Sequence, residues 1–195
     1  MRLFVALDIP DEIRNKIRTL MEGVRGFAPD VRWVAAESLH VTLKFIGEQP
    51  DDKLAAIKEA LSGVAGDRMD VSFRSTGFFP TAKSARVFWI GIEADERLAR
   101  LAGAVDAALE PLGIERERRA FSPHLTLARA GSGRPQRMKE DRANPTFRRL
   151  QERLAQMPAP EFGTMTAREF SLYLSTLSPK GAQYSKLERF VLRSS

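Results

Sequence analysis

The stretch Leu39-His40-Val41-Thr42-Leu43-Lys44-Phe45 has a counterpart 84 positions on, Pro123-His124-Leu125-Thr126-Leu127-Ala128-Arg129. These two stretches hold the only histidines of the chain, and each histidine stands two residues before a threonine. Both stretches read as strands. Side chains alternate across a strand, so His40 and Thr42 share a face, about 6.6–6.8 Å apart along it. His124 and Thr126 do the same. With threonine at about 5% of the chain, both histidines would have threonine at +2 by chance roughly once in 400 cases.

The same shift of 84 lays Leu3-Phe4-Val5-Ala6-Leu7 on Val87-Phe88-Trp89-Ile90-Gly91, and Asp11-Glu12 on Asp95-Glu96. After the first acid pair the apolar positions are Ile13, Ile17, Leu20, Met21 and Val24. After the second they are Leu98, Leu101, Val105 and Leu109. Both sets suit one buried helix face, with acids where the helix dipole favours them. Further helices are predicted over 52–61 and 145–157, and strands over 70–79 and 168–177. Beyond Arg129 the second half runs about ten residues late. The order β-α-β-α-β, twice, predicts an α+β fold with two sheet-and-helix lobes related by a pseudo-two-fold. The whole chain, 1–195, is then a single two-lobed domain. Its repeat covers approximately 1–84 and 85–178, with a final strand at 183–192.

At 195 residues and 43% hydrophobic, the chain can bury a core and is not a disordered segment. The absence of cysteine excludes disulfides, thiolate nucleophiles and iron–sulfur clusters. The apolar run Leu3–Leu7 is too short for a secretion signal or a membrane span, so a cytoplasmic protein without membrane contact is expected. The net charge of +6 suits a polyanionic partner. It is not spread evenly: residues 113–155 hold 11 basic against 5 acidic side chains, and the remainder balances.

If the lobes face each other, two imidazoles and two hydroxyls meet in one cleft. Near neutral pH an imidazole serves as base and an imidazolium as acid, while hydroxyls donate to phosphoryl oxygens without adding negative charge. That set suits a metal-free in-line displacement at phosphorus, with one histidine deprotonating the attacking oxygen and the other protonating the leaving one. No Asp or Glu stands at a familiar metal-ligand spacing from either histidine. A cleft that only binds, or histidines that are purely structural, are the competing readings.

At these residues the sequence resembles the two-histidine phosphoesterase superfamily. Within it, the chain is similar to the RNA 2′,3′-cyclic phosphodiesterases, also called 2′-5′ RNA ligases. Leu3 to Pro10, Leu39 to Glu48 and Pro123 to Arg129 carry the closer match, and the resemblance runs nearly end to end. It implies two antiparallel sheets flanking a central cleft, with helices packed outside. It also implies hydrolysis of the 2′,3′-cyclic phosphate at an RNA 3′ end to a 2′-phosphomonoester, with the reverse 2′-5′ ligation possible but disfavoured in water. By this resemblance His40 is the general acid, His124 the general base, and Thr42, Thr126 and Arg129 hold phosphate oxygens. No cofactor and no metal is expected. Nor is an obligate protein partner, so the chain would act as a monomer. The alternatives are a cyclic phosphodiesterase for small nucleotides and a non-catalytic RNA- or nucleotide-binding module.

Further RNA contacts are assigned by position. Arg129 lies an odd number of residues from His124, so a regular strand would turn it away and a bulge is needed to re-aim it. Lys44 is two residues beyond Thr42 and is expected on its face. Phe79, with Arg86 after it, leaves a strand for a loop and could stack on a base. Tyr184 could meet RNA at the rim. Arg134, Arg137 and Lys139 belong to a Gly- and Pro-containing basic loop, 131–144, suited to the phosphates of an RNA strand.

Overall fold

A computed structural model of the chain describes residues 1–131 and 145–194, and these form nine strands and four α-helices. In order they are β1 (Arg2–Leu7), α1 (Asp11–Val24), β2 (Val31–Trp33), β3 (Val41–Glu48), α2 (Leu54–Ser62), β4 (Met69–Phe79) and β5 (Val87–Ala94). Then come α3 (Glu96–Leu109), β6 (His124–Ala130), α4 (Arg148–Ala155), β7 (Glu161–Ala167), β8 (Glu169–Ser178) and β9 (Gly181–Val191). The α+β class agrees with the sequence, and β2 and β7 are additions to it. On α1 the stripe Ile13, Ile17, Met21 and Val24 is buried, and on α3 Leu98, Leu101, Val105 and Leu109 are buried. Asp95 caps α3 by accepting from the backbone N–H of Arg97. Among the described residues no helix is long and apolar enough to cross a membrane.

Two antiparallel sheets share these strands, in the orders β3-β1-β8-β9 and β2-β6-β5-β4-β7. The first order superposes in connectivity on β6-β5-β4-β7, with β2 added at the edge. Each sheet therefore mixes the halves: β2 and β4, from the first sequence half, sit in the sheet of β5 and β6, while β8 sits beside β1. The late run of the second half is visible in the pairings. Phe4 is opposite Tyr173, and Val87 opposite Phe79, which places Tyr173 where the other sheet has Phe79.

Both histidine strands carry a bulge at the same place. On β3, Thr42 is opposite Ala6 and Lys44 opposite Val5, so Leu43 is an extra residue. On β6, Thr126 is opposite Trp89 and Ala128 opposite Phe88, so Leu127 is extra. These pairings also correct the sequence register by one residue: Phe4 matches Val87, not Phe88. Phe4 is opposite Phe45 and Val87 opposite Arg129. Phe88 instead points into the core, where Trp33 and Phe78 pack on it.

Candidate active site

His40 lies between a short 3₁₀ turn (Ala36–Ser38) and the start of β3, and His124 opens β6. Their imidazoles are held alike. Nδ1 of His40 lies 2.7 Å from the carbonyl oxygen of Ser38, and Nδ1 of His124 lies 3.0 Å from that of Ser122. A carbonyl only accepts, so Nδ1 carries the proton in each neutral ring and Nε2 is left as the free nitrogen. Among the described residues neither Nε2 has a hydrogen-bond partner, nor does either hydroxyl of the half-buried Thr42 and Thr126.

The surroundings of the two rings differ. Phe4 stacks on His40 at 4.6 Å between centroids, Tyr173 stacks on Phe4 at 5.1 Å, and Tyr184 meets His40 edge-on at 5.2 Å. Desolvation in this aromatic nest pushes the His40 imidazole below its usual range. The Ser38 carbonyl and the charge of Asp8 work against that shift, and Arg14 works with it. His124 is exposed, with Trp89 at 6.4 Å. Trp89 lies flat over Gly77: a β-carbon there would come within 2.2 Å of the indole.

The Leu127 bulge settles Arg129. It is opposite Val87, which shares a face of β5 with Trp89, so the bulge returns Arg129 to the face of Thr126 and His124. The Leu43 bulge does the opposite to Lys44, correcting the expected phosphate contact. Lys44 turns to the far side, is buried, and binds the Asp106 carboxylate at 2.6 Å and the carbonyl of Glu115 at 2.6 Å. Burial raises the pKa of Asp106, but hydrogen bonds from Lys44 and the Glu117 backbone prevail and leave it lowered.

Phe79 is 58% exposed and, opposite Val87, stands on the histidine side. Arg86 is exposed but one residue out of step with Val87, and its carbonyl accepts from Ala130, whose neighbour in β2 is the buried Val31. Strand alternation therefore does not bring Arg86 onto the histidine side. Tyr184 is 37% exposed and reaches His40 itself, a closer role than a rim contact. Arg134, Arg137 and Lys139 lie outside the described residues. No group of three or more His, Asp or Glu side chains that could hold a metal ion occurs among the described residues.

The sequence profile of the LigT like Phosphoesterase family matches residues 7–89 and 90–184. The chain belongs to that family. The RNA 2′,3′-cyclic phosphodiesterase of Archaeoglobus fulgidus is 38% identical over 97% of this chain and 99% of its own length. The enzyme of the same name from Escherichia coli is 32% identical over 98% and 96%. A Thermus thermophilus protein of known structure superposes with a TM-score of 0.76 at 31% identity, covering 100% of this chain and 99% of that one. Escherichia coli LigT complexed with 3′-AMP gives 0.75 at 28%, covering 98% and 97%.

Several side chains of this LigT-like phosphoesterase escaped the sequence reading. Arg14 on α1 donates to the carbonyls of Ala36 (2.6 Å), Leu39 (3.0 Å) and Ile9 (3.1 Å), clamping the segment that leads into His40. Only its position on the polar side of an amphipathic helix marked it, and that is the commonest place for an arginine. Asp8, beside His40, pairs with Lys186 from β9, and Lys186 lies 5.8 Å over the Tyr173 ring. Nothing in the sequence singles out Phe4 or Tyr173, because an aromatic stack on a histidine has no spacing signature.

Proposed function

We propose that this phosphoesterase opens the 2′,3′-cyclic phosphate at an RNA 3′ end and leaves a 2′-phosphomonoester. The observation that carries the reading is the matched pair of imidazoles. Each has Nδ1 fixed on a carbonyl and Nε2 free, and each has an unengaged threonine hydroxyl two residues on along the chain. The names of the curated relatives and the position of Arg129 support it.

In the reaction, Nε2 of His124 removes a proton from water as the oxygen attacks phosphorus. The bond from phosphorus to the 3′-oxygen breaks, and that oxygen takes the proton carried by Nε2 of His40. Thr42, Thr126 and Arg129 hold the non-bridging oxygens, whose negative charge grows in the transition state. Free His40 favours its neutral form. An arriving phosphate anion favours the imidazolium, so the acid is loaded when substrate binds. Both histidines come from one chain, so the reading needs no second copy and no metal.

The experiment is ring opening of an oligoribonucleotide with a 2′,3′-cyclic phosphate end in excess EDTA, its product assigned by ³¹P NMR. A 2′-phosphomonoester is expected. No turnover, turnover abolished by EDTA, or a 3′-phosphomonoester would each contradict the proposal.

A further inference from the structure

Away from the histidines, a polar pocket of about 310 Å³ opens where the first residues of β4, the first turn of α3 and the joint between β7 and β8 meet. Three arginines line it: Arg68, Arg97 and Arg168. Asp70 is the one acidic side chain in the lining, and Thr166 and Ser194 add hydroxyls. Arg97 is already neutralised. Its guanidinium bonds the Asp95 carboxylate through Nε and Nη2, which holds Asp95 down at about 2, and Nη1 donates to the carbonyl of Arg68. Asp70 is engaged by the hydroxyl of Thr166 at 2.8 Å.

Arg68 and Arg168 are different. Among the described residues neither guanidinium has a hydrogen-bond or ion-pair partner, and Nε of Arg68 is buried without one. The Arg68 backbone is fixed on both sides, its N–H donating to the carbonyl of Arg193 at 2.9 Å and its carbonyl accepting from Arg97. A buried donor held in place and left unpaired carries a desolvation cost that an incoming acceptor removes. Two arginines in the lining of one cavity, neither with a partner for its guanidinium among the described residues, match an anion with several oxygens in fork geometry.

We propose that this pocket is a second phosphate-binding site, separate from the histidines, in which Arg68 and Arg168 grip the oxygens of a phosphoryl group. Asp70 and Thr166 share the solvent side of their sheet with His124. Counting residues along β4 and strands across to β6 puts Asp70 about 17 Å from His124. A backbone phosphate of an RNA strand whose cyclic end lies at the histidines fits that span, and so does free phosphate. The site itself does not depend on the proposed reaction.

The test follows the side-chain ¹H–¹⁵Nε resonance of Arg68 while inorganic phosphate is added to the whole protein, as wild type and as His40→Ala/His124→Ala. The resonance is expected to shift and saturate in both, and Arg168→Gln is expected to weaken the phosphate affinity at least threefold. In parallel, kcat/KM for a cyclic-ended oligoribonucleotide is compared with that for a 2′,3′-cyclic mononucleotide in Arg168→Gln. A selective loss on the oligonucleotide assigns the site to the substrate strand, and equal values assign it to free phosphate. An Arg68 resonance that stays still to tens of millimolar phosphate, or that moves only when the histidines are intact, would overturn the proposal.

Discussion

His40 and His124 are the same residue in the same motif, and their difference is set by neighbours. Phe4, Tyr173 and Tyr184 desolvate His40, and its protonation is disfavoured in the free protein. An NMR titration is therefore expected to give His40 a pKa below the ordinary imidazole value, rising when phosphate binds. A value above the ordinary one in the free protein would contradict the aromatic nest. The folded state binds this proton less readily than the unfolded chain. The contribution of His40 is present above the ordinary imidazole range and is lost as pH falls through it. Lys44 gives a second test. Its ion pair with Asp106 is buried, so Lys44→Met leaves a carboxylate short of its main partner and is expected to cost about 3–5 kcal/mol in denaturant unfolding. Turnover per folded molecule should hold. Unchanged stability with a loss of turnover would restore Lys44 to the phosphate. At this scale the histidines and threonines were singled out by spacing, whereas Arg129 came from the resemblance and its parity pointed the other way. Lys44 was misplaced because parity counting cannot see a bulge.

Among the elements, the two bulges decide which side chains join the chemistry. The inserted Leu43 and Leu127 are buried apolar residues in apolar strands and leave no mark on the pattern. They send Lys44 and Ala128 inward and bring Phe45 and Arg129 to the histidine side. On β4, Gly77 leaves the space that the Trp89 indole fills. Gly77→Ala puts a methyl into that ring and is expected to cost about 1–3 kcal/mol, with lower kcat because the displaced indole borders His124. Equal stability and kcat to wild type, by thermal melts and initial rates, would show that Trp89 does not rest there. The helices were readable because a 3.6-residue stripe survives in sequence. β7 was not: Gly163 at φ +114° and a register shift break its alternation. β2 has only three residues.

For the molecule as a whole, the repeat predicted two lobes, and the strand exchange shows what separates sequence halves from sheets. β2, β4 and β8 cross to the other half's sheet, pairings that depend on long-range contacts and have no local signature. The exchange ties both histidine strands into one structure without either half standing alone. The central claim is that His40 and His124 act as one acid–base unit on a cyclic phosphodiester. Its most direct measurement is single-turnover ring opening of a cyclic-ended oligoribonucleotide by His40→Ala, His124→Ala and the double variant. Each single change should lower the rate on the order of 10²–10⁴-fold, and the double variant should fall little further, as expected of groups that work only together. A near wild-type rate in either single variant, or losses that multiply in the double, would contradict the paired mechanism.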